Sequence, residues 1–183
     1  MEKRANFSKI TIIFFVLFLT WILLQFLAPL ALPSNTVEDL SGLTAVSNNE
    51  EIVSEVPQPW NLIYSAGDRL CHQKMERSLF INGNQMPFCT RCTAIWLGIT
   101  IGLGIMIFYK IKLDNRFLIL ILLGIVPIGI DGTGQLLGLW ESQNILRLAT
   151  GLIIGSICGI SINIIIDEIR EISSNRLKRA NNL

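Results

Sequence analysis

The residues from Ile10 to Leu32 carry no charge at all, and at 1.5 Å per helical residue a run of this length crosses about 30 Å of hydrocarbon. One such run would fit a secreted protein with a leader. This chain has three more, Thr93 to Tyr109, Phe117 to about Gly138, and Ile145 to Ile166, separated by short polar links. None shows the alternation of a membrane strand, and each exceeds the 9–11 residues such a strand uses. Only helices and closed barrels satisfy their backbone in lipid, so the runs read as helices. The expected fold is therefore all-α, an integral membrane bundle of four transmembrane helices. Composition agrees: 51% of the residues are hydrophobic and only 16% charged, where soluble domains carry about 25% charged residues. A net charge of +1 gives no large basic field, which argues against nucleic acid as a partner. The bilayer is the expected one.

The first run follows Lys3, Arg4 and Lys9, as a secretory signal would. Its apolar core is longer than the 7–15 residues of a signal peptide, and Pro29 stands two before Ala31, where a small residue is wanted for cleavage. It reads as an uncleaved anchor. The chain divides into this anchor (1–32), an acidic flexible spacer (33–59), a membrane domain with a Cys/His loop and three spans (60–166), and a basic tail (167–183).

Lys and Arg are retained on the cytoplasmic side. They cluster at the N-terminus, at Lys110, Lys112 and Arg116 in the second link, and at Arg170, Arg176, Lys178 and Arg179 in the tail. The stretch from Asn35 to Gly67 has none, nor has the third link near Trp140, Glu141 and Ser142. Localisation in the cell membrane with both ends cytoplasmic is expected, the first and third loops facing out. Gly98 and Gly102, Gly134 and Gly138, and Gly151, Gly155 and Gly159 stand four apart, a spacing that lets helix backbones approach closely. Pro127 is expected to kink the third span just before Asp131.

The spacer is rich in Ser, Asn, Glu and Asp, a composition that buries little apolar surface. From Trp60 aliphatic and aromatic residues return. Asn82-Gly83 between short apolar flanks signals a hairpin. This loop holds three thiols and the only histidine of the chain. Cys71, His72, Cys89 and Cys92 are the ligand types of a zinc site, and Cys-x-x-Cys is the usual half-site spacing. Neighbours such as Cys71 and His72 do not easily reach one metal; if three coordinate, the fourth position is open, as catalytic zinc requires. Two other readings stand beside it. Cys89 and Cys92 at a helix start beside Arg91 suit a reactive redox pair. A structural disulfide from Cys71 to Cys89 or Cys92 would pin the loop. Cys158, deep in the fourth span, reads as a small apolar filler.

Asp131 lies about 21 Å along the third span, in the outer third of the core. A carboxylate there is costly and turns to a partner inside the bundle. Gln135 follows on the same helical face. Asn144 and Arg147 start the fourth span, so Asp131, Gln135, Asn144 and Arg147 are expected to converge beneath the cysteines. Asp131 would act as a general base or metal-water partner and Arg147 would bind an anionic group such as a lipid phosphate, giving a metal-dependent membrane enzyme on a lipid-like or anionic substrate or a metal-stabilised binding protein; a non-enzymatic membrane scaffold stapled by its loop is the alternative. An Asp131 to Arg147 ion pair that only fixes packing is the bland counterpart.

Cys71-His72-Gln73, Glu76-Arg77-Ser78, Met86 through Cys92, Asp131-Gly132 with Gln135, and Ser142 with Asn144, Arg147, Thr150 and Gly151 together resemble a family of prokaryotic multi-pass membrane proteins defined by a domain of unknown function. The resemblance covers about Trp60 to Ile166 and departs from the family pattern at Ala94-Ile95-Trp96. It implies the membrane class and this choice of residues, and no reaction. A fainter similarity is to membrane thiol oxidases that pass electrons to quinone, although the second cysteine pair of those enzymes is missing here.

Overall fold

The computed structural model describes residues 2–3 and 8–181, with side chains described from 8 to 173. The side chains of Lys3, Arg4, Arg176, Lys178 and Arg179, which enter the expected orientation, lie outside the described residues. Four helices are long and apolar enough to cross a membrane. They are α1 (Lys9–Ala31), α4 (Thr90–Phe108), α5 (Asn115–Leu136) and α6 (Asn144–Asn181). The protein is mostly helical, and the four-span membrane architecture expected from the hydropathy pattern is the one observed.

Local chemistry sets the ends of these helices. Ser8 caps α1, its hydroxyl accepting from Thr11 N at 3.4 Å, and Asp114 caps α5 by accepting from Phe117 N at 2.8 Å. α5 is unbroken across Pro127 and closes on Gly138, whose positive φ of 70° completes the left-handed turn that ends many helices. α6 does not stop at Ile166 but carries the basic tail on as helix to Asn181.

α4 and α6 form the tightest pair, and glycine is the reason. A methyl group on Gly98 would stand 2.6 Å from Leu152 O and 2.9 Å from Gly155 Cα, so the backbones themselves touch. Gly102, Gly151, Gly155 and Gly159 fill the same seam. At the far end from the cysteine loop, the two-residue strands β1 (Glu2–Lys3) and β4 (Tyr109–Lys110) pair antiparallel, and Arg170 Nη1 donates to Ser8 Oγ at 2.8 Å. The N-terminal segment, the α4–α5 link and the α6 extension thus share one end of the bundle.

The other end carries the loop structure. α2 (Glu50–Glu55) and α3 (Trp60–Leu70) precede a 3-10 turn at Met75–Arg77, then β2 (Ser78–Ile81) and β3 (Asn84–Cys89). The expected hairpin is present: Asn82 and Gly83 both have positive φ, 55° and 72°, as a two-residue turn between twisted strands demands.

The stretch 33–59 differs from its expected role as a free spacer. Val37, Leu40, Val53 and Val56 are buried with Ala28, Leu32, Ile63 and Tyr64 in one apolar cluster. Two hairpin amides satisfy its backbone. Asn84 Oδ1 accepts from Thr36 N and Val37 N at 2.7 and 2.9 Å, and Gln85 Oε1 accepts from Leu40 N at 2.9 Å. The polar average of this stretch conceals a few well-placed aliphatic residues, and those decide where the chain goes.

A thiol cluster beside an arginine-lined pocket

The loop is held rigid where it meets α4. Buried Gln73, in a left-handed conformation with φ 44°, donates to Pro87 O at 2.8 Å and accepts from Asn49 Nδ2 at 3.2 Å. Asp68, equally buried, accepts from Asn49 Nδ2 at 2.7 Å and from the Asn49 amide at 3.2 Å. Tyr64 donates its hydroxyl to Gln85 O at 2.8 Å. These contacts fix Cys71 at the end of α3 against Cys89 at the end of β3. α4 begins at Thr90 rather than Thr93, which puts Arg91 and Cys92 in its first turn.

The sulfur atoms of Cys71, Cys89 and Cys92 all lie within 4.8 Å of one another, and the Cys89 amide donates to Cys71 Sγ at 3.3 Å. Tetrahedral zinc with bonds of about 2.3 Å places sulfurs about 3.8 Å apart, so three thiolates need close by only about 1 Å to hold an ion. His72 does not join them. It is exposed, with its ring nitrogens 3.1 and 3.2 Å from Thr44 Oγ1, because consecutive residues project in different directions from an extended backbone. Cys158 is remote in α6.

Electrostatics distinguishes the sulfurs. Hydrogen bonds from the Cys71 thiol, then from Cys92, hold the Cys89 thiol far below the ordinary range, with backbone amides at the start of α4 adding to the effect. Cys71 is pushed up to about 11, first by its hydrogen bond to Cys89 and further by burial.

Beside the sulfurs opens a cavity of about 260 Å³ lined by His72, Lys74, Arg77, Cys89, Arg91, Cys92, Gln135 and Arg147. Four cationic side chains face it. The residues expected to converge do so, in two shells. Gln135 and Arg147 line the cavity. Asp131 and Asn144 stand behind it: Asp131 Oδ2 pairs with Arg91 Nη2 and accepts from Ser142 Oγ at 2.9 Å, while Asn144 Oδ1 accepts from Arg147 Nη1 at 2.9 Å. The ion pair of Asp131 is thus with Arg91, not Arg147. With its amide oriented oxygen-first toward the guanidinium groups, Gln135 accepts from Arg147 Nη2 at 2.9 Å and from Arg77 Nε and Nη2 at 3.2 and 2.9 Å.

The sequence does not reveal Arg91 as Asp131's partner or the place of Lys74 in the pocket wall, whereas Arg77 and Ser142 stand among the motif residues. A signal for Arg91 was present: a charge in the first turn of a span must find a counter-charge in a neighbouring helix. Reading across helices needs their relative rotation, which periodicity does not supply.

A four-span helical bundle with a thiol cluster at one end defines an integral membrane protein, and the comparisons give it a family. The chain belongs to the family described as "Predicted membrane protein (DUF2085)", whose model matches residues 71–161. That match takes in the cysteine loop and reaches into the last span. An uncharacterized protein of Methanocaldococcus jannaschii is 41% identical over 97 residues, which cover 51% of this chain and 61% of the relative. An uncharacterized protein of Methanothermobacter thermautotrophicus is 40% identical over 83 residues, 45% of this chain and 75% of that protein. The chain thus spans less than two thirds of the first of these relatives. No solved structure matches.

Proposed function

We propose that this protein is a metal-centred membrane enzyme in which Cys71, Cys89 and Cys92 hold a zinc ion and an anionic, lipid-borne substrate enters the adjoining pocket. The observation that carries the reading is the mutual approach of three sulfurs, those of Cys89 and Cys92 at the wall of a cationic cavity. A disulfide needs two sulfurs and leaves the third without a role; a metal uses all three. Three protein ligands leave tetrahedral zinc a fourth position for water or a substrate oxygen, where the ion acts as a Lewis acid or lowers the pKa of bound water. Arg77, Arg91 and Arg147 supply the charge that draws an anion into the adjoining pocket. Asp131 is a positioning residue in this scheme, holding Arg91, and Asn144 does the same for Arg147. Asp131 Oδ2 is committed to Arg91 and Ser142, which leaves the buried, unpartnered Oδ1 for the general-base role.

Elemental analysis of the full chain, purified in mild detergent without chelator, tests this, with free thiols counted on the same sample. The expected result is about one zinc per chain with three thiols released when it is removed. Absence of metal together with one disulfide among the three cysteines overturns it.

A thiol-disulfide oxidoreductase is the second reading, favoured by one observation: the lowered Cys89 thiol stands at the start of a helix in a Cys-x-x-Cys pair. It requires a Cys89–Cys92 disulfide whose redox state responds to added quinone.

A further inference from the structure

We propose that the anion received by this pocket is a phosphate group, bridged between the guanidinium groups of Arg77 and Arg147 at the position now filled by the Gln135 amide oxygen. The inference rests on the pocket reading above and names its ligand. Three guanidinium N–H donors from two arginines converge on that one neutral oxygen. A neutral amide cannot balance two cations, and the rest of the shell does little better. Glu76 reaches Arg77 only at 3.6 Å from an exposed position. Asp131 is engaged with Arg91. Arg147 has no carboxylate partner among the described residues, yet the residue is 3% exposed, and its Nε is buried without an acceptor, as is Arg91 Nε.

Leaving charged donors buried and unmet is costly, so the arrangement suits an anion. A carboxylate offers two oxygens in a plane and a single charge, so it can bridge the two guanidinium groups but balances only one of them. A phosphate offers three or more oxygens in a tetrahedron and up to two charges, which matches two guanidinium forks approaching from different helices and loops, with Lys74 as a further point charge. The phosphate is that of a lipid headgroup or of a soluble phosphate, and the pocket chemistry is the same for both.

Isothermal titration calorimetry on the full chain in detergent, prepared without phosphate, tests this with two probes, inorganic phosphate and short-chain phosphatidate. Zinc content is measured on every sample. Saturable binding of either probe is expected, and Arg147→Gln should weaken it about 10- to 100-fold, the range for a lost charged hydrogen bond. Phosphatidate binding at least about tenfold tighter than phosphate assigns the site to a lipid headgroup; equal affinities assign it to soluble phosphate. Because Arg147→Gln could fail to fold, Gln135→Glu is the second variant. Its carboxylate takes the anion's place between the two arginines, so the protein should melt higher while phosphate binding is lost. No saturable binding by wild-type protein, or binding unchanged in Gln135→Glu, overturns the inference. Phosphate binding by a protein that contains no zinc refutes the metal centre alone, and a zinc-loaded protein that ignores phosphate refutes the phosphate site alone.

Discussion

At the level of single residues, the pair of Asp131 and Arg91 is where membrane cost and site geometry meet. Asp131 is almost wholly buried and the Arg91 side chain about a quarter exposed. Breaking a buried pair by neutralising one member costs roughly 3–5 kcal/mol; partial exposure of Arg91 places Asp131→Asn nearer about 2–3 kcal/mol. Thermal unfolding of Asp131→Asn, Arg91→Gln and the double variant should show the double losing less than the sum of the singles. Strict additivity would mean that the two side chains do not interact. Cys89 yields a second expectation. Its thiol value is lowered in the folded protein, so the thiolate already predominates at neutral pH. In chelator-stripped protein its alkylation rate should stay flat from about pH 6 to about pH 8, where an ordinary thiol near 8.5 accelerates about tenfold per unit. A rate that rises with pH across that window contradicts the assignment of the thiolate to Cys89. The sequence announced these residues but not their pairing. Spacing of three and four along one helix puts Asp131 with Gln135 and Asn144 with Arg147, whereas Arg91 meets Asp131 across two helices whose rotation no local pattern encodes.

For the helices, the α4–α6 seam shows how an element contact is written in small residues. Gly98→Ala drives a methyl group into the backbone of Leu152 and Gly155, neither of which can move without shifting α6, and overpacking of this kind costs typically about 1–3 kcal/mol. Gly132 is the control, since a methyl group there meets nothing within 4 Å. Gly132→Ala should be neutral or stabilising by up to about 1 kcal/mol through helix propensity. Melting temperatures of both variants in one detergent decide the matter, and equal losses at the two positions would show that α4 and α6 are not in backbone contact. Spans and hairpin were legible because hydrocarbon thickness and a two-residue turn each impose a local rule that residues 10–32 or Asn82-Gly83 satisfy on their own. The packing of 33–59 was not, because it depends on Val37 and Leu40 finding Asn84 and Gln85 more than forty residues away.

For the molecule as a whole, the two ends of the bundle differ in kind, and the difference sets its expected orientation. One end gathers the β1–β4 pair, Lys110 and Arg170; the other gathers the cysteine loop and the turn before α6. Lys and Arg outside the loop site crowd the first end, and short basic segments are held in the cytoplasm during insertion. Among the arginines around the thiol cluster, Arg91 is paired with Asp131, and Arg77 and Arg147 belong to the pocket rather than to a short basic segment. Cysteines placed at exposed positions report the outcome directly. In intact cells a membrane-impermeant maleimide should label Leu43→Cys, at the cysteine-loop end, and spare Lys112→Cys until the cells are permeabilised, with labelling read peptide by peptide by mass spectrometry. The reverse pattern would put the thiol cluster in the reducing cytoplasm, where thiols stay free for metal without competition from disulfides, and would remove the oxidising setting that the redox reading requires. Sidedness therefore bears on chemistry: an outward loop leaves zinc and a disulfide in competition for Cys71, Cys89 and Cys92, and an inward one favours the metal.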